Sequence, residues 1–189
     1  FYWTGFDYRG EPNPMVFPAT SSEFGILDYC GFPKDEAYYL KSWWTSEPVL
    51  HILPHWNLDG HEGEKISVWV YSNCDEVQLI VNGKKLQRKK MPKNGHLEWD
   101  AVYRPGYVKA VGYRAGRKVM ETRLDTAGEP VEAVWTYDTV GDITVANVEM
   151  RDAKGRFVPT ACVEMEFTAP EGSRILGWGN GDPTFQYVE

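Results

Sequence analysis

Alternation of apolar and polar side chains dominates the chain from Pro48 onward. "KISVWVYS" sets Ile66, Val68 and Val70 on one face and Ser67, Trp69 and Tyr71 on the other, the period-two pattern of a half-buried strand. "EVQLIVNGKKL" alternates Val77, Leu79 and Val81 up to Asn82-Gly83, a dipeptide that favours a two-residue hairpin turn because both positions tolerate positive φ. "HLEWDAVY", "YVKAVGYR" and "KVMETRLD" continue the series, punctuated by Pro105-Gly106 and Ala115-Gly116. Short strands at this spacing predict a small antiparallel sandwich. After the turn-forming "DTAGEP" the pattern restarts in "VEAVWTYD", "DITVANVEMRD", "TACVEMEFTA" and "RILGWGNGDP". That is fewer strands than a complete sandwich of about seven requires, so a second, incomplete module is expected.

The first third follows another rhythm. Apolar "FYWTGF" runs into a loop carrying Pro12, Pro14, Pro18 and Pro33, and "DEAYYLKSWW" then opens with Asp35 and Glu36, acidic residues that favour the first turn of a helix. Strand, long loop and helix make one βα unit, too little to bury a core alone. Three regions result: 1–46, 47–125 and 126–189.

Composition narrows the partners. In 189 residues, 42% hydrophobic and 14% aromatic side chains can build real cores, and 20 Lys and Arg against 27 Asp and Glu leave a formal charge of -7. Such a field repels nucleic acid and anionic membranes. No apolar run approaches the roughly 20 residues of a membrane span, and no leader precedes Phe1, so any export signal would lie outside this chain. Cys30, Cys74 and Cys162 are odd in number and far apart, which excludes a CxxC motif and a fully paired disulfide framework.

Several motifs invite chemistry. His51, His55 and His61 cluster in "HILPHWNLDGHEGE", but Pro54 interrupts the first spacing and "HEGEK" lacks the second histidine of a helical zinc motif. No metal and no cofactor are expected; Trp56 in "PHWN" is read as an apolar anchor against the first region. "KKLQRKK" follows a hairpin turn and reads as a solvated edge strand whose lysines discourage strand addition. "GWGNGDP" reads as a turn in which Gly177, Gly179 and Gly181 take unusual backbone angles. Trp69 and Tyr71 form an outward aromatic pair that suits either a carbohydrate platform or a domain interface.

"FYWTGFDYRGEPNP", "FPATSSEFGILDYCGFPKDEAYYLKSWW", "HILPHWNLDGHEGEKISVWVYSNCDEVQLIVNGK" and "RILGWGNGDP", in this order, resemble the carboxy-terminal part of glycoside hydrolase family 2 enzymes of the bacterial β-galactosidase type. The resemblance implies a mainly β chain in which the last strand, loop and helix of a catalytic (β/α)₈ barrel precede two tandem immunoglobulin-like β-sandwich modules. It implies that the chain starts inside a barrel, and that Trp3 lines a sugar subsite, its flat ring suited to the CH-rich face of a pyranose. Asp7 and Glu11, the carboxylates nearest that ring, are then read as substrate-binding or loop-ordering. Retaining hydrolysis needs two carboxyl groups about 5 to 5.5 Å apart, and the family carries both catalytic glutamates upstream of Phe1. No catalytic residue is therefore expected here, and the chain alone should be inactive. The implied partners are a carbohydrate substrate and the upstream barrel, with a homo-oligomer as a further reading, and the implied location is periplasmic or extracellular. A non-catalytic carbohydrate-binding or structural sandwich is the alternative.

Overall fold

A computed structural model describes residues 1–185. The chain divides into two compact units: Phe1–Glu47 with the chain from Met165, and Pro48–Glu164.

The second unit holds the well-packed core. A three-stranded sheet in the order β3-β4-β7 comprises β3 (Leu50–Leu53), β4 (Lys65–Ser72) and β7 (Leu97–Val102). A four-stranded sheet in the order β6-β5-β8-β9 comprises β5 (Glu76–Val81), β6 (Lys84–Lys90), β8 (Tyr107–Arg114) and β9 (Arg117–Asp125). All their pairings are antiparallel. Val68 and Val70 from one sheet and Val77, Leu79, Val108 and Ala110 from the other are fully buried in one cluster, as the alternation requires. Asn82 at φ 46 and Gly83 at φ 84 make the β5–β6 turn, and Ala115 at φ 47 with Gly116 at φ 74 repeats the device between β8 and β9. The lysine-rich β6 is an edge strand.

Trp56 corrects an expectation. It is 1% exposed inside the sandwich core, edge-on to Tyr103 with ring centroids 5.1 Å apart, and Leu58 N–H donates to the Tyr103 hydroxyl at 3.1 Å. It plugs its own module instead of anchoring to the first region.

Beyond the seam, β10 (Pro130–Val140) and β11 (Ile143–Asp152) form one antiparallel hairpin. Asp152, buried, fastens this hairpin to the seam: its carboxylate accepts from Gly128 N at 2.9 Å, from Lys154 N and Arg156 N at 2.9 Å each, and from Arg156 Nε at 2.7 Å. The Arg156 bond, then the backbone donors, hold its carboxyl far below the usual range. "TACVEMEFTA" and "RILGWGNGDP", expected as strands, are not. Their alternation supports extended chain, but a strand needs a neighbouring ladder, and no pairing forms there among the described residues. The last four positions of region 126–189 lie outside those residues.

In the first unit, β1 (Thr4–Phe6) pairs in parallel with β2 (Gly25–Leu27), and α1 (Asp35–Trp44) follows. The pair approaches closely: a Cβ on Gly25 would lie 2.2 Å from Asp7 N and from Phe6 C. β2 sits in what the sequence shows only as loop.

Candidate functional site

The loop after β1 carries the expected site residues. Its backbone is pinned by a short antiparallel ladder, with Ser22 N donating to the Tyr8 carbonyl at 2.8 Å, Gly10 N to the Thr20 carbonyl at 2.8 Å, and Tyr8 N to Ser22 Oγ at 3.1 Å. Ser21 and Ser22 are buried, while Arg9 and Gly10 on the other strand of the ladder are exposed. Gly10 at φ 95 and Glu11 at φ 47 then turn the chain back, a left-handed bend that is strained at a residue with a Cβ.

The three expected residues divide into two groups. Trp3, 68% exposed, stands just before β1, not after it, yet its indole Nε1 donates to the Tyr8 hydroxyl at 3.4 Å. Tyr8 in turn donates to Glu11 Oε2 in a short hydrogen bond. Trp3 and Glu11 are thus joined through a residue that sequence reasoning passed over, a tyrosine five positions from one and three from the other. The Glu11 bond raises the Tyr8 phenol above its ordinary value. Asp7 belongs elsewhere: Oδ1 accepts from Gly25 N at 2.8 Å, and its two oxygens receive Lys34 Nζ at 2.9 and 3.0 Å. Lys34 Nζ also reaches the Glu23 carbonyl at 3.0 Å. Asp7 therefore ties β1, β2 and the residue that precedes α1 together.

Two neighbours complete the loop's charge pattern. Arg9 Nε donates to the Tyr29 hydroxyl at 3.0 Å and its guanidinium lies 5.7 Å from that ring's centroid. Asp28, just after β2, accepts from Cys30 N at 2.9 Å and Phe32 N at 2.8 Å. The Gly-rich turn meets this same end of the unit, with Thr20 N donating to the Pro183 carbonyl at 2.9 Å. Its glycines are not there for positive φ, since none of the three has one. Gly181 is there for space: a Cβ would lie 2.1 Å from Asp28 Oδ2.

The remaining candidates resolve separately. Trp69 and Tyr71 are half-buried on the outer face of β4. Trp69 stacks on His96 at 4.0 Å and donates to Ser67 Oγ at 2.8 Å, while Tyr71 stacks on His51 at 6.4 Å. The histidines do not converge: His55 Nδ1 accepts from Asn57 N at 3.2 Å, and His61 Nδ1 lies 2.9 Å from Glu64.

Comparison with known proteins decides the family. A model described as a domain of unknown function, DUF4982, matches residues 63–120, a stretch running from β4 into β9. Beta-galactosidase BoGH2A of Bacteroides ovatus is 42% identical over 192 residues, covering 97% of this chain and 22% of that protein. A solved glycosyl hydrolase family 2 member from Bacteroides cellulosilyticus superimposes with a TM-score of 0.76 at 30% identity, over 82% of this chain and 26% of that one. The chain belongs to glycoside hydrolase family 2. Other relatives broaden the picture: a putative beta-glucuronidase of Formosa agariphila is 34% identical, covering 97% of this chain and 19% of that protein. A solved beta-glycosidase from Bacteroides vulgatus has a TM-score of 0.76 at 31% identity, over 83% of this chain and 21% of that one. The chain spans about a fifth of the length of the curated relatives it matches.

Proposed function

We propose that this chain is part of a retaining β-glycosidase of the β-galactosidase type, in which β1, β2 and α1 close a (β/α)₈ barrel and the sandwich buttresses it. The observation that carries the reading is the exposed chain of hydrogen bonds from the Trp3 indole through Tyr8 to Glu11, beside a parallel strand pair. Barrel enzymes place their chemistry at the carboxyl ends of parallel strands, and Asp7, Tyr8 and Glu11 follow β1. An exposed indole next to a fixed carboxylate offers a sugar a ring to stack on and an acceptor for a hydroxyl. The acid and nucleophile belong to strands outside this chain.

Charge favours a neutral hexoside over a uronide. The loop's cations, Arg9 and Lys34, are engaged with Tyr29 and Asp7, while Glu11 presents a carboxylate to solvent. A sugar carboxylate placed there would meet like charge. This agrees with the higher identity to the galactosidase, 42%, than to the glucuronidase, 34%.

The test assays the full-length protein on an aryl β-galactoside and an aryl β-glucuronide, beside residues 1–189 alone. The reading predicts turnover of the galactoside, a preference of about 100-fold or more over the glucuronide, and an inert short chain. Preference for the glucuronide would overturn the substrate; hydrolysis by the short chain would overturn the placement of the catalytic pair.

A further inference from the structure

We infer that Tyr8 is a positioning residue for the sugar site, fixing the indole of Trp3 and the carboxylate of Glu11 as one rigid unit. The inference rests on the reading that Trp3 and Glu11 face the sugar.

Three features carry it. First, Tyr8 is itself immobilised: its N–H donates to Ser22 Oγ at 3.1 Å, its carbonyl accepts from Ser22 N at 2.8 Å, and its ring lies 6.4 Å from that of Phe24. A residue so anchored through its backbone, with its ring against Phe24, can orient others. Second, its hydroxyl is used in both senses, accepting from Trp3 Nε1 at 3.4 Å and donating its single proton to Glu11 Oε2. A phenol has one donor and two acceptor lone pairs, so these two roles fix the direction of the chain. They leave Glu11 Oε1 to accept from a sugar hydroxyl and the indole face to stack. Third, Glu11 occupies a left-handed conformation at φ 47 directly after Gly10 at φ 95. That turn carries the Glu11 side chain back to the Tyr8 hydroxyl, to which its carboxylate is bonded.

Without the hydroxyl, two long side chains exposed to solvent would each regain rotamer freedom that sugar binding must then remove. The cost falls on binding, because neither group bears the reacting atoms. Tyr8 remains a donor throughout the neutral range, since the Glu11 bond holds its proton more tightly than an ordinary phenol's.

The experiment uses the full-length protein and an aryl β-galactoside, with Tyr8→Phe, Glu11→Ala and the double variant. Tyr8→Phe should raise KM about 10-fold with kcat changed less than about 2-fold, and its melting temperature should match wild type because the ring contact with Phe24 remains. The double variant should be no worse than Glu11→Ala, since one substitution already breaks the unit. A silent Tyr8→Phe, or effects that multiply in the double variant, would overturn the inference while leaving the glycosidase reading intact. An equal fall in kcat and kcat/KM would also overturn it, by showing a role in the reaction step instead of in positioning. Absence of turnover by the wild type would overturn both. Should Tyr8→Phe melt early, Glu11→Ala against Glu11→Gln decides: the amide keeps an oxygen acceptor for the tyrosine proton and should recover most of the KM.

Discussion

In the sandwich of β3 to β9 the large apolar side chains face one another, and Val68, Val70, Val77, Leu79 and Val108 have no exposed surface. Around β1 and β2 the opposite holds: Phe17 is 82% exposed and Trp44 69%, with Phe6, Phe24 and Phe32 also in solvent. Both regions are rich in aromatic and apolar residues, so composition does not separate them. What separates them is closure. Two sheets with complementary inner faces bury each other's side chains, whereas two three-residue parallel strands and one helix have no second sheet against them among the described residues. A surface of this kind marks an interaction site, and in the proposed enzyme its partner is the remainder of the barrel.

Substitutions can break this contrast, and the largest effect belongs in the sandwich core. Leu79→Ala should cost about 2–5 kcal/mol in urea unfolding of the chain, while Phe17→Ala should change it by less than about 0.5 kcal/mol. Equal effects would erase the distinction between the regions. Next is Gly112→Ala, whose Cβ would lie 2.6 Å from Cys74 Sγ inside the sandwich. Overpacking there should cost about 1–3 kcal/mol, measurable by the same titration. A third test uses pH at the junction of sandwich and hairpin. The Asp152 carboxyl titrates far below its unfolded value of about 3.9, so its contribution is complete above pH about 4 and is lost as pH falls toward the folded value. Thermal melts should show wild type losing stability in that acidic window and Asp152→Asn, already weakened at neutral pH, losing less. The smallest stability effect belongs to β6. Replacing Lys84 and Lys85 with Thr should leave stability within about 0.5 kcal/mol but promote concentration-dependent association, seen by sedimentation, because an edge strand loses its charges.

The same contrast governs what could be read from the sequence. Val68, Val70, Val77 and Leu79 announce their burial because alternation is a local property, and Asn82-Gly83 marks its turn because the required φ is local too. β2 is invisible by those means. Gly25–Leu27 is too short to show a period, and its strand character comes from β1, some 20 residues away. Trp56 stands outside the alternating runs, and only its packing against Tyr103 shows that it is core. Gly181 illustrates a different limit. Its glycine was legible as a constraint, but the cause, a close approach to the Asp28 carboxylate, lies over 150 residues away.

The candidate site was legible in part for a related reason. Trp3, Asp7 and Glu11 stood out by residue type and by the motif that contains them. Their roles depend on contacts: Lys34 and Gly25 claim Asp7 for the scaffold, and Tyr8 joins the other two. A tyrosine between a tryptophan and a glutamate carries no signal in a chain with 11 tyrosines.

In the proposed enzyme the exposed Trp3 indole is a sugar platform and not misplaced core. Steady-state kinetics of Trp3→Ala in the full-length protein tests it most directly, with an aryl β-galactoside as substrate and a melting curve alongside. The substitution should lower kcat/KM by about 10- to 100-fold at an unchanged melting temperature. Unchanged kinetics, or a loss that only tracks a lowered melting temperature, would contradict it.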